Sequence, residues 1–571
     1  MKEGYTFDRW YSDSGFQEVY TFTTMPSSNI TLYANWIELA ELSEDIIYEI
    51  VDNEAIIISY TGIESILTIP DSISGSPVVK INDQAFIYNP YLENVVLGKF
   101  VSTIGNQAFY NCTGLISITI PNSMITIGEN AFYNCMNLES IVLLEGVESI
   151  GNNAFAECRS LANIQLSNTI NSLGDNTFKN CTSLTSIVIP SSVESIGNNV
   201  FEGCSSLSSI TIDNGPIRIG NSAFSGCSSL TNVQIPNSIT SIGERAFFSC
   251  NNLLGIDIPN SVQSIGNYAF DGCSNLASVK LNYGLITIGD SAFADCNKIA
   301  SIEIPDSVTT IGSNVFANWN TITSIVIPKN VQSIGIYAFW GCSSLTKITI
   351  PFTGNSRTAT DSLSYFMFIF GSSPTSIPKS LKEVVVTDIT TIKDSTFSYC
   401  SQIATIVLPS NLTNIEDSAF VSCTSLKNIV IPSNVTNIGD YAFRECSSLV
   451  NIEIPSGVTS IGQYVFYECS SLSNIVIPSS IERVEKSAFF GCSSLASFVI
   501  PDHMTSIGEY AFCNCSKLTN IFIPDNVITV DRYAFWGCSM LSIYCEAKIR
   551  PDGWSQYWNP DNRPVQWEYS K

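Results

Sequence analysis

Nineteen cysteines and a single histidine stand in the 571 residues, and their spacing decides which chemistry they could do. From Cys112 to Cys296, nine cysteines follow one another at steps of 23 residues. Trp319 takes the next slot and Cys342 the one after; Cys400 to Cys538 adds seven more at the same step. A metal site needs ligands that converge, and a row of single thiols along a repeat never gathers four. A thiol nucleophile needs a neighbouring base, which no repeat supplies. A disulfide ladder fits poorly, because stacked coils sit about 4.8 Å apart whereas bridged Cβ atoms lie about 3.8 Å apart and must turn toward each other. Trp319, and Asn89 in the first repeat, share the slot and suit a filled hole at the edge of a core. The repeat cysteines are therefore expected as free thiols packing as small hydrophobes. Cys513 and Cys545 lie off the row, and a bridge between them stays open.

His503 stands in "IPDHMTSIG", a slot held elsewhere by Ser, Asn or Gly, and reads as a loop substitution rather than a catalytic base. Carboxylates such as Asp440 and Glu445 recur on the outer turns and read as solvated surface. There is no Gly-rich phosphate loop, zinc motif or nucleophile elbow. No catalytic residue, metal or cofactor is expected, and the chain does not read as an enzyme. Acidic residues outnumber basic ones by 51 to 26, and the net charge of −25 repels phosphate backbones and anionic lipid. No apolar run approaches the roughly 18–20 residues of a membrane span, so neither nucleic acid nor membrane insertion is expected. The opening "MKEGYTFDRW" has no apolar stretch after Lys2 and does not read as a signal peptide.

A unit of 23 residues cannot bury a core alone, so neighbours must stack into a solenoid. In "CTSLTSIVIPSSVESIGNNVF" the apolar positions are Leu184, Ile187, Ile189, Val193, Ile196 and Phe201. The β-branched run ending at Pro190 predicts a short strand. "ESIG" reads as a second extended piece, and "NNVFEGC" as a helical or 3-10 turn carrying Phe201 inward. Phe86 to Phe339 marks twelve repeats and Phe397 to Phe535 seven. With an irregular repeat at 351–385 between them, about twenty 23-residue coils of short parallel strands and short turns are predicted.

The copies of "IPSSVESIGNNVFEGCSSLSSI", over about residues 62–545, resemble the leucine-rich repeat, specifically the BspA-like or Treponema-type family of bacterial and protist surface proteins. That resemblance implies a right-handed leucine-rich-repeat superhelix. The slot after the strand is usually Ser or Asn (Ser192, Ser238, Asn434), with the cysteine before the strand, which speaks against an asparagine ladder of the usual kind. Residues 1–37 resemble part of a Listeria–Bacteroides β repeat, with Trp10 and Trp36 expected as core aromatics. Residues 44–85 read as an N-terminal cap and first coil entry, 86–545 as the repeats, and 546–571, with Trp554, Trp558 and Trp567, as a C-terminal aromatic cap.

Two surfaces and an insert are left for function. Ser186, Ser209, Asn232, Ser278, Ser301 and Asn428 line the strand face, with Gln234, Asp257, Lys280 and Glu303 beside them as binding candidates. On the outer turns Tyr268, Tyr337, Trp340, Tyr464, Tyr467 and Trp536 place aromatic groups near solvent. Cys342 to Cys400 spans 58 residues, two coils plus twelve. Within this insert "LSYFMFIFG" is expected to pack on the solenoid, while the polar residues around Asn355, Ser356 and Arg357 could protrude as a recognition loop. The resemblance implies a cell-surface or secreted, adhesin-like binding protein for host or matrix proteins or glycans. The rival reading is a structural spacer within a larger surface protein.

Overall fold

A computed structural model describes residues 5–15, 17, 30–38, 43–359 and 364–569. Contacts divide the chain into two units, Met1–Pro216 and Ile217–Lys571. Each is a parallel β-solenoid built from coils of 23 residues.

Two rows of short strands run along the coils. In the first unit one row forms a seven-stranded parallel sheet, from Ile66–Thr68 to Ser209–Ile212. The register is in step: Ser186, Ile187, Val188 and Ile189 pair with Ser209, Ile210, Thr211 and Ile212. Side chains alternate across this strand, so Ile187 and Ile189 are buried while Ser186 and Val188 face out. The second row uses the two residues before the glycine of each "SIG"-like stretch, as in Thr103–Ile104, Thr126–Ile127 and Ser149–Ile150. In the second unit it forms a six-stranded sheet from Arg218–Ile219 to Ser333–Ile334.

The outer turns are not the expected helical turns. The residues two before and two after each phenylalanine have positive φ, 57° at Gln107 and 58° at Asn111 around Phe109. This alternation aims the N–H groups of Gln107, Phe109 and Asn111 at the carbonyls of Glu129, Ala131 and Tyr133 of the next coil, at 2.8, 2.7 and 2.7 Å. A helix would close those donors on its own carbonyls and leave neighbouring coils unlinked. The inter-coil bonds offset the cost of left-handed backbone at non-glycine residues.

Phenylalanine rings form the spine of each unit. In the first, Phe86, Phe109, Phe132, Phe155, Phe178 and Phe201 stack with centroids 4.7–5.6 Å apart and planes within 11°. Tyr60 ends this stack, its ring 5.5 Å from Phe86. It lies on a hairpin, Ile46–Val51 with Glu54–Tyr60, turned by Asp52 and Asn53 at positive φ. The hairpin's second strand pairs in parallel with Ser76–Ile81, covering the edge of that sheet.

In the second unit the spine ends on Trp558, which meets Phe535 edge-on at 6.1 Å. Trp554 and Trp558 are buried together, and the Trp554 indole donates to the Val527 carbonyl at 3.0 Å. Near the start, Tyr5–Tyr11 pairs antiparallel with Tyr33–Glu38. Trp10 is 38% exposed there and is not the expected core aromatic, since the described residues place only this strand pair around it. The Trp36 side chain lies outside the described residues.

Candidate binding surface

The cysteines are buried and free, including Cys513 and Cys545. Most of the cysteines in the row, though not Cys400, also have a partner that packing alone does not require. The thiol of Cys135 donates to the carbonyl of Phe109 in the preceding coil at 3.1 Å, and Cys158, Cys181, Cys273 and Cys446 repeat the bond at 3.1–3.2 Å. Phe109 O already accepts from Cys112 N–H, so the thiol occupies its second lone pair. The exceptions in the slot keep the donor: Trp319 Nε1 bonds Phe293 O at 2.7 Å, and Asn89 Nδ2 bonds Gly62 O at 2.9 Å. Burial pushes Cys112 and Cys204 up to about 12, so these thiols stay protonated and remain donors. Such thiols have neither the charge nor the exposure of a nucleophile.

A second ladder replaces the asparagine row that the slot after the strand argued against. It stands one residue past the "SIG" glycine, where Asn106 Oδ1 accepts from Glu129 N–H at 2.8 Å and Asn152 Oδ1 from Asp175 N–H at 2.8 Å. Asp440 Oδ1 likewise accepts from Gln463 N–H at 2.7 Å, so this carboxylate is structural as well as solvated. Glu445 accepts from Ser422 Oγ at 2.7 Å. Sequence reasoning missed this row, although Asn or Asp recurring after that glycine was visible.

His503 sits exposed in a turn. Among the described residues no group of three or more His, Cys, Asp or Glu side chains comes together to hold a metal. No helix among them is long and apolar enough to cross a membrane.

Gln234, Asp257, Lys280 and Glu303 all lie exposed on the strand face of four consecutive coils. Asp257 and Lys280 are register partners joined at 3.0 Å, and Asn282 Nδ2 also donates to Asp257 Oδ1 at 3.0 Å. Further along, four coils carry valine at the same position, Val407, Val430, Val476 and Val499, all exposed, Val430 by 82% and Val499 by 70%, with Glu453 between the second and third. Beside them Asn474 Nδ2 donates to Asn451 Oδ1 at 3.0 Å. A hollow of about 750 Å³ opens over this stretch, lined by Asn428, Val430, Glu453, Pro455, Val476 and Pro478 among others.

The insert divides as its composition suggests. A 3-10 helix, Phe366–Ile369, stands in for an outer turn, with Phe339 N–H bonded to Ile369 O and Phe366 N–H to Thr396 O at 2.8 and 2.9 Å. Phe370 and Phe366 carry the aromatic spine from Phe339 to Phe397. Asn355, Ser356 and Arg357 fasten the insert to the coil before it. Asn355 O accepts from Ile334 N–H at 2.9 Å, and Ser356 bridges Ser333 antiparallel. Arg357, with a side chain 24% exposed, donates to Val331 O, Lys329 O and Asp388 O and pairs with Asp388 Oδ2 at 2.9 Å.

A family model for the BspA-type leucine-rich repeat region matches in six copies between residues 79 and 553. The chain belongs to the BspA-type leucine-rich repeat family. Residues 1–35 match the Listeria–Bacteroides repeat domain. Among solved structures, this BspA-type chain is similar to a leucine-rich repeat protein from Bacteroides ovatus, at 22% identity, with 88% of this chain and 99% of that one covered and a TM-score of 0.36. It is similar to the pneumococcal vaccine antigen PcpA at 20% identity, with 70% and 97% covered and a TM-score of 0.41. It is similar to a Treponema pallidum leucine-rich repeat protein at 23% identity, with 45% and 89% covered and a TM-score of 0.23. Among curated protein sequences, none matches this chain.

Proposed function

We propose that this BspA-type chain is a non-enzymatic, cell-surface or secreted binding protein. Its strand face takes a protein ligand in an adhesin-like role. The observation that carries the reading is the row Val407, Val430, Val476 and Val499, exposed beside a hollow of about 750 Å³. These side chains point away from the core, so packing does not account for them. Exposed apolar groups interspersed with polar ones are characteristic of interaction surfaces. Asn451 and Asn474 flank the column, and Glu453, the register partner of Val476, sets a charge within it. Location on the cell surface or in secretion rests on the repeat family and on the Listeria–Bacteroides repeat.

Purified chain applied to an array of extracellular-matrix and serum proteins tests this reading. Saturable capture on a subset of spots is expected. No capture on any spot would favour the spacer reading instead.

A further inference from the structure

Tyrosine recurs at the left-handed position two residues before the spine phenylalanine, at Tyr268, Tyr337, Tyr441, Tyr464, Tyr510 and Tyr533. Where such tyrosines are neighbours their rings stack: Tyr441 and Tyr464 lie 4.9 Å apart with planes within 4°. The two coils after the insert carry Ser395 and Ser418 there, in the same backbone conformation. A pocket of about 380 Å³ opens in the gap beside them. The insert supplies one wall, Tyr365 and Met367, and the coil of Tyr441 and Arg444 supplies the opposite one. Tyr399, 60% exposed, stands at the third side.

The wall chemistry narrows the ligand. One face of Tyr441 is covered by Tyr464, which leaves the other toward the gap. Three of the serine and threonine hydroxyls at the pocket have committed their protons. Ser395 Oγ donates to Asp394 Oδ1, Thr396 Oγ1 to Lys393 O and Ser398 Oγ to Ser418 O, at 3.0, 2.8 and 2.8 Å. Their remaining lone pairs are acceptors. Arg444 lines the pocket with a partly exposed guanidinium, whose Nη2 is neutralised by Glu445 at 2.8 Å. The pocket therefore combines aromatic faces, acceptors and a donor with no net charge. Its volume lies at the lower end of the ~300–1,000 Å³ typical of small-ligand sites.

We propose that this pocket binds one or two rings of a neutral saccharide, the apolar ring face against Tyr441 and the hydroxyls against the serine oxygens and Arg444. An anionic glycan is disfavoured by the paired arginine and by the net charge of −25. This site lies on the outer turns and is independent of the strand-face reading.

The test applies the full chain to an array of neutral oligosaccharides of hexoses and N-acetylhexosamines, then titrates any captured sugar by saturation-transfer NMR. Ser418→Tyr fills the gap with the residue that sibling coils carry at the same backbone position, so the variant should fold. Capture of at least one neutral oligosaccharide is expected, weakened about tenfold or more by Ser418→Tyr and by Tyr441→Ala, and unchanged by Val430→Asp. No capture of any neutral sugar would overturn the proposal. So would unchanged affinity in folded Ser418→Tyr, or loss of sugar binding in folded Val430→Asp.

Discussion

The indole N–H of Trp319 and the carbonyl of Phe293 are joined at 2.7 Å, the bond that a thiol makes in neighbouring coils. Cys and Trp therefore fill one slot for the same kind of acceptor, a spine-phenylalanine carbonyl, and Asn89 in the first coil keeps a donor there for Gly62 O. The hole-filling account of the cysteines covers their burial but not this choice of residues. The donor account covers both.

The two accounts separate on Cys273, whose thiol donates to Phe247 O at 3.2 Å. Cys273→Ala removes the donor and opens a small void, at a cost of about 1–2 kcal/mol. Cys273→Ser keeps a donor in the slot and should retain more stability than the alanine variant. Urea denaturation of the three proteins gives the order. If filling alone matters, alanine will equal or exceed serine.

Alkaline pH should unfold the chain steeply. Burial holds Cys112, Cys204, Cys273 and Cys342 at about 12 against 9.0 for an ordinary thiol, and Cys135, Cys423 and Cys469 are also raised. A raised thiol pKa means the unfolded chain releases its proton first. The stabilisation is full below pH 9 and is lost as pH rises from 9 through 12. Thermal midpoints should be flat near neutrality and fall sharply above pH 9, more sharply than in a variant with several ladder cysteines replaced by serine.

Phe270 stacks between Phe247 and Phe293 at 5.1 and 5.2 Å, fully buried. Phe270→Ala should destabilise its coil by about 3–5 kcal/mol, as an emptied aromatic core site does. Contacts in a solenoid are mainly between nearest neighbours, so protection from hydrogen exchange should fall first around residues 247–293. Uniform loss throughout the second unit would contradict this.

Arg357 is expected to act as a clamp. Its guanidinium reaches backbone carbonyls on both sides of the insert, at Lys329, Val331 and Asp388. Arg357→Ala should cost about 2–3 kcal/mol, because carbonyls bonded to a charged donor lose it together. Proteolysis should then begin within residues 351–385. A variant as resistant as the parent would show that the clamp is dispensable.

What the sequence revealed followed the strict step of 23. Phe109, Cys135 and Ile187 sit in periodic columns, and a periodic column of buried types is readable without coordinates. The left-handed positions were only partly readable: Asn111, Asn130 and Gly203 are types that favour that conformation, while Gln107, Arg245 and Tyr441 are not. What those positions share is a backbone conformation imposed by the next coil. Composition separated the apolar part of the insert from its polar part. It could not show that Asn355 and Arg357 turn back onto Ile334 and Val331, since those contacts depend on how the chain re-enters the solenoid. On the strand face, attention fell on Gln234, Asp257, Lys280 and Glu303 because they are charged or polar. The valines of the same column read as strand formers, and only their exposure sets them apart.

The claim that the strand face binds a protein is tested most directly by affinity in the double variant Val430→Asp/Val476→Asp. Both residues line the same hollow and are exposed, so their replacement should leave circular dichroism and the unfolding midpoint close to those of the parent. Against the matrix or serum protein that the chain captures best, the account predicts affinity lower by about a hundredfold, as for charges placed in a desolvated interface core. Undiminished affinity in a folded double variant would contradict it.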